Sequence, residues 1–133
     1  MQSPEEAQGD DVSAISAYLE SLLVPAPVNR LRGTEDSAAI ARGKEVFAKQ
    51  NCVKCHAGDS FTTPEKYDVG LVDSAGNRKF NPPSLRGLSH RGPYFHDNSA
   101  GQLKEVFLSA GHPGNSTYSE EEVRDLIHYL ESL

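Results

Sequence analysis

Two thiols and an imidazole stand together in Cys52-Val53-Lys54-Cys55-His56. Spacing the sulfurs at i and i+3 puts both on one side of a single turn, and the histidine follows at once. This C-x-x-C-H arrangement can form two thioether bonds with the vinyl groups of one haem, while the imidazole of His56 reaches the iron as proximal ligand. Two rival chemistries use the same residue types. A redox dithiol would follow a strand and open a helix in a βαβ setting. Here the pair follows a helical pattern, and Gly58 breaks what comes after. A zinc ion would need further ligands, for which the chain offers His90, His96, His112 and His128. Adjacent Cys55 and His56 do not easily share one tetrahedral ion. The spacing therefore favours one covalent haem c held through Cys52 and Cys55.

The elements around the motif read as helices joined by irregular chain. Residues Met1 to Gly9 are polar and carry Pro4 and Gly9, which predicts a disordered lead-in. Asp10 or Asp11 could cap a helix to about Leu23, with Val12, Ile15, Leu19, Leu22 and Leu23 on one face. Pro25 and Pro27 end it, and Pro25 to Gly33 reads as a linker. Thr34 would cap a second helix over Glu35 to Gln50. Gly43 within it costs about 1 kcal/mol against Ala and often marks close approach of another helix. From Ala57 to His90 the chain is rich in Gly, Pro, Asp, Ser and Asn and reads as a long irregular middle segment. Ser99 to Leu108 reads as a short helix ended by Gly111, Pro113 and Gly114. Ser119 with Glu122 forms a capping box before Val123, Leu126, Ile127, Leu130 and Leu133, which recur at helical spacing. The Glu120-Glu121-Glu122 run suits the positive end of that helix. No strand pattern stands out, so the fold class is all-α.

Composition narrows the function classes. The 133 residues suffice for one compact domain. A formal charge of −6 argues against nucleic acid as partner, because phosphate binding needs a basic surface. No apolar run is long enough for a transmembrane segment. The opening MQSPEEAQGDDVS lacks the pattern of a secretory signal. Two cysteines are too few for a disulfide scaffold. A chain only 37% hydrophobic has a thin core for its length. Burying some hundreds of Å² of porphyrin at about 25 cal/mol per Å² would add on the order of 10 kcal/mol, so haem would be the centre of the core.

A short repeat divides the chain. Tyr18-Leu19-Glu20-Ser21-Leu22 ends the first helix and Tyr129-Leu130-Glu131-Ser132-Leu133 ends the last. Val12 and Val123 keep the same register, as do Ile15 and Leu126. Duplication explains five identical residues better than the general likeness of amphipathic helices. The expectation is that residues 1–33 (tail, helix over about 10–23, linker) hold the closing helix of an upstream unit, and that residues 34–133 form the domain itself. An export signal would then lie upstream.

The sequence resembles a c-type cytochrome. Gly43-Lys44-Glu45-Val46-Phe47 is similar to that family's N-terminal helix, whose glycine and aromatic pack on the C-terminal helix, here with Tyr129 as partner. More specifically, Pro83-Ser84-Leu85-Arg86-Gly87 and Gly92-Pro93-Tyr94-Phe95-His96-Asp97 resemble the C-terminal haem domain of bacterial dihaem cytochrome c peroxidases and their MauG-like relatives. The similarity runs from about Ala38 to Leu133. It implies a cytochrome c-like fold wrapped around the haem, a periplasmic setting, and two haem domains in the whole protein, of which this one matches the electron-passing member.

The resemblance also assigns roles. Arg86 would pair with a haem propionate, and Pro83, Tyr94, Phe95 and His96 would lie against the haem. The family's calcium is not carried over, because Arg91 stands where it favours a small residue. One departure matters. Ala110 stands where the family supplies a distal methionine, and the chain's single Met is Met1. His112, set in Gly111-His112-Pro113-Gly114, is then the leading distal ligand, with His96 or no ligand as alternatives. His90 and His128 read as surface or packed histidines. The resulting expectation is a His/His-ligated haem c electron-transfer domain of a larger periplasmic multi-haem oxidoreductase. It would lack a catalytic residue of its own and exchange electrons with a redox partner protein or an adjacent haem domain. A peroxidase-type haem enzyme with an open distal site, or a haem-based sensor module, is the alternative.

Overall fold

The computed structural model describes residues 4–114 and 116–133. Five helices carry the fold: α1 (Pro4–Ser21), α2 (Val28–Leu31), α3 (Ser37–Lys49), α4 (Leu103–Leu108) and α5 (Glu120–Glu131). Tyr67–Asp68 (β1) and Lys79–Phe80 (β2) form one antiparallel ladder of two residues each, and 3-10 turns cover Cys52–Lys54 and Leu88–His90. The all-α expectation holds with that small ladder added. Its strands are too short for an alternating pattern to be read.

Several boundaries differ from the sequence reading, each for a local reason. Residues 4–9 are helical rather than a disordered lead-in, and residues 1–3 lie outside the described residues. Pro4 at the first helical position and acids in the first turn favour an early start, which outweighs Gly9. The helix expected over about 10–23 therefore runs from Pro4 to Ser21. Within the expected linker, α2 forms and is fixed to the domain. Asn29 Nδ2 donates to Glu131 Oε2 at 3.0 Å, and Val28 N donates to Ser89 Oγ at 3.2 Å.

Thr34 does not cap α3, because it closes the preceding turn, where its amide donates to Asn29 O at 2.9 Å and its hydroxyl turns to the same carbonyl at 3.4 Å. Asp36 caps instead, and its carboxylate accepts from the amides of Ala38 and Ala39, both at 3.0 Å. The short helix expected from Ser99 begins only at Leu103. Ala100 O is taken by the Tyr94 amide at 2.7 Å, so the chain there is extended. The capping box of Ser119 and Glu122 is as expected.

The centre of the fold is the crossing of α3 and α5. At Gly43 the two backbones touch: a Cβ there would lie 2.0 Å from Asp125 O and 2.8 Å from Tyr129 Cβ. Close approach lets Phe47 pack its ring edge-on to Tyr129, centres 5.4 Å apart. Leu126 is fully buried under this crossing, and Leu103, Val106 and Phe107 of α4 close the core from the other side. Arg42 Nε and Nη2 donate to both oxygens of buried Asp125, at 2.6 and 2.8 Å, clamping α3 to α5. The core thus holds the end of α3 rigid where the cysteine motif begins.

Candidate functional site

Asn51, in the left-handed conformation at φ 55°, turns the chain straight from α3 into the Cys52–Lys54 turn. Cys52 O accepts from the amides of Cys55 (3.2 Å) and His56 (2.9 Å), which winds the motif tightly. Both cysteines are free thiols. Burial pushes the Cys52 thiol up to about 11 and raises that of Cys55. A redox dithiol needs the opposite shift, a stabilised thiolate. The zinc alternative fails on geometry: among the described residues no three of His, Cys, Asp and Glu converge to hold an ion.

His56 Nδ1 lies 3.1 Å from Phe61 O. Phe61 itself takes a left-handed φ of 51°, which aims that carbonyl at the ring. Donation from Nδ1 fixes the tautomer and leaves Nε2 free with its lone pair. Burial lowers the His56 pKa, only partly opposed by the Phe61 and Pro83 carbonyls, so the ring is neutral.

Cys52, Cys55 and His56 line one cavity of about 750 Å³, within the usual range for cofactor sites of about 300–1,000 Å³. Its walls are mostly apolar, with Phe47, Leu85, Leu88, Leu103, Phe107 and Leu126 among them. His112 faces the same space. Its ring centre stands 6.4 Å from that of His56, with 66° between the planes. Burial, and then the cost of placing a second positive ring beside His56, push the His112 pKa down to about 4, so it too is neutral. Its buried Nδ1 has no hydrogen-bond partner.

Two imidazoles holding one ion between them would stand about 6.4 Å apart, from roughly 2 Å of metal–nitrogen bond and about 1.2 Å from nitrogen to ring centre on each side, and the observed spacing is compatible with that. Two neutral rings at that spacing, two thiols beside one of them and apolar walls make a donor set that fits a haem. Cys52, Cys55 and His56 would anchor it, and His112 would face its other side.

The other expected residues are placed unevenly. Pro83, Tyr94, Phe95 and His96 all line the cavity. Phe95 does so with a left-handed φ of 68°, a strained backbone of the kind found at functional sites. His96 lies at the exposed rim, stacked on Phe80 with ring centres 4.5 Å apart. Arg86 is exposed and is absent from the lining. Arg91 stands there instead. Its Nη2 donates to Ser84 O and, at 2.8 Å, to Arg86 O. Sequence reasoning passed over Arg91 because only the folding back of the Ser84–Arg91 segment brings it to the cavity. His90 is bound to the surface through Ala26 O at 2.9 Å, and His128 is half-buried near the end of α5.

Comparison with known proteins gives the family and the fold. The cytochrome c family model matches residues 40–133. The methylamine utilization protein MauG of Methylorubrum extorquens is 33% identical over 162 residues, covering 98% of this chain and 46% of that protein. MauG of Methylophilus methylotrophus is 32% identical, covering 76% of this chain and 38% of that protein. Cytochrome c551 peroxidase of Nitrosomonas europaea is 26% identical, covering 91% and 43% respectively. The chain thus spans less than half the length of these relatives. Among solved structures, hydrazine synthase of Kuenenia stuttgartiensis shares the fold, with a TM-score of 0.69 at 21% identity over 87% of this chain and 52% of that one. No helix among the described residues is long and apolar enough to cross a membrane. With the C-x-x-C-H turn on the cavity wall and the family match covering α3 to α5, the chain belongs to the cytochrome c family.

Proposed function

We propose that this chain is an electron-transfer domain that carries one haem c. Cys52 and Cys55 would supply the thioether sulfurs, and His56 and His112 would supply the nitrogens that hold the iron. The 6.4 Å spacing of the two imidazole rings carries this reading. When bound, the haem supplies one-electron chemistry between Fe(III) and Fe(II). The chain's own part is to hold both rings neutral and fixed, His56 through Phe61 O and His112 through its loop. The apolar walls keep water away. With two imidazoles and no methionine sulfur, the potential should lie below that of a Met/His cytochrome. With both imidazoles holding the iron there would be no open position for peroxide, and the role assigned to this chain is electron transfer. Its role is to pass electrons to or from a second redox centre, an adjacent haem domain or a partner protein, within a larger periplasmic oxidoreductase.

The visible spectrum of the haem-loaded chain tests this. A six-coordinate low-spin spectrum that carbon monoxide alters only slowly is expected. His112→Ala should turn it high-spin and open it to carbon monoxide, while His96→Ala should leave it unchanged. A low-spin His112→Ala spectrum would remove His112 as ligand. A high-spin resting spectrum with peroxide turnover would establish the peroxidase reading instead.

A further inference from the structure

One loop, residues 61–67, grips three successive residues of the C-x-x-C-H turn. Phe61 O lies 3.1 Å from His56 Nδ1, Thr63 Oγ1 donates to Cys55 O at 3.3 Å, and the Tyr67 hydroxyl donates to Lys54 O at 3.3 Å. The loop cannot keep this shape unaided. Phe61 is left-handed at φ 51°, a conformation that a bulky residue keeps only where its surroundings impose it. Its ring is anchored edge-on to Phe47, centres 6.3 Å apart. That contact fixes the ring, and the backbone after it needs ties of its own.

Those ties come from residues 81–83. Asn81 Nδ2 donates to Thr63 O at 2.7 Å and to Glu65 O at 3.1 Å, and Thr62 Oγ1 donates to Pro82 O at 2.5 Å. A primary amide carries two N–H donors on one neutral nitrogen, so it can hold two carbonyls of one loop at once. The other carbonyl that faces His56 is Pro83 O, two residues past Asn81. Asn81 thus joins the two stretches of chain whose carbonyls both face the His56 ring. We propose that Asn81 is a positioning residue for His56, and that its clamp on the loop keeps Phe61 O against Nδ1. This rests on the reading of His56 as a ligand of the iron. A carbonyl that accepts from Nδ1 makes the opposite ring nitrogen more basic, and a more basic ligand favours the oxidised metal. Releasing the clamp should weaken that bond and raise the midpoint potential.

Neutral substitutions in the haem-loaded chain test this, because they leave the charge of the cavity wall unchanged. Asn81→Leu keeps the size of the side chain and removes both donors. In the reduced protein the His56 Nδ1 proton, followed by NMR, should exchange with deuterium about fivefold faster than in wild type, the weight of one hydrogen bond. At the wild-type midpoint the ratio of oxidised to reduced protein should fall about threefold, a rise of roughly 30 mV at about 59 mV per tenfold. Asn81→Ser, left with a single donor, should shift both readings less and in the same direction. Asn81→Gln keeps the amide and should recover most of each change. Ser119→Ala loses the α5 cap and should lower the melting temperature while moving neither reading. Wild-type exchange and potential in both Asn81→Leu and Asn81→Ser would overturn the proposal, as would equal shifts in Ser119→Ala. A wild type that takes up no haem would instead overturn the reading beneath it, so the two failures are distinct.

Discussion

The Tyr118 hydroxyl donates to the backbone carbonyl of His112 at 2.8 Å. Burial, and then the charge of Cys52, push the phenol up to about 12, so it stays a donor at any working pH. The ring is itself pinned edge-on to Phe107, centres 5.4 Å apart. Tyr118 is thus a positioning residue for the imidazole opposite His56. Tyr118→Phe keeps the ring and removes the bond, worth about 1 kcal/mol. The low-spin spectrum should persist, while carbon monoxide binds the reduced protein about five times faster because the His112 loop opens more often. An unchanged rate would show that the bond does not govern the loop.

How much of this was legible beforehand depends on the range of the interaction. The C-x-x-C-H turn, Gly43 and the Ser119 capping box are local or nearly so, and each sits where the residues placed it. The glycines and proline around His112 marked it as a residue held in place, and it does line the cavity. The cap of α3 was not, because Thr34 and Asp36 are both good caps and Asn29 decides between them by drawing the Thr34 amide and hydroxyl into the preceding turn. Which of the two arginines reaches the cavity was not legible either. Arg86 and Arg91 lie five residues apart in irregular chain, and only the fold-back of that segment selects Arg91.

Arg91 stands with Lys54 among the cations on the wall of a mostly apolar cavity, which bears on the redox potential. A positive charge there favours the reduced iron. Removing it should be worth on the order of 1 kcal/mol, or roughly 40 mV for one electron. Arg91→Gln should therefore lower the midpoint potential measurably, with the axial spectrum intact. Arg86→Gln should shift it far less. Arg91→Lys keeps the charge but loses the planar guanidinium whose Nη2 donates to both Ser84 O and Arg86 O, so it should restore only part of the shift. Equal shifts for both glutamine variants would return the role to Arg86.

The Arg42–Asp125 clamp makes stability depend on acid. Hydrogen bonds from Arg42 hold the Asp125 carboxyl below its ordinary value of 3.8. A carboxylate lowered in the folded state contributes stability that is full above the unfolded value and is lost as pH falls through the folded one. Asp125→Asn should therefore cost about 1–2 kcal/mol at neutral pH, discounted because Arg42 is half exposed. The gap from wild type should narrow as pH drops below 3.8. Melting curves from pH 7 to pH 2 read both arms, and a gap constant across that range would rule out the ion pair as its source.

Gly43 sets how closely α3 and α5 can cross, and a single methyl group tests it. Alanine favours the helix by about 1 kcal/mol over glycine, so on propensity alone Gly43→Ala should stabilise. The geometry opposes that. The new Cβ would sit 2.0 Å from the Asp125 carbonyl oxygen, which is backbone and cannot rotate away. The helices would have to separate, parting Phe47 from Tyr129 and lengthening the Arg42 clamp. Overpacking of this kind costs about 1–3 kcal/mol or more and exceeds the propensity gain. The expected result is a melting temperature lowered by roughly 5–10 °C with haem still attached, since Cys52 and Cys55 lie beyond the crossing. Gly43→Val should be worse, because a second methyl group meets the same wall. Were Gly43→Ala to raise the melting temperature, the crossing would be looser than the fold requires, and the α3–α5 packing could not be what holds the cysteine motif in place.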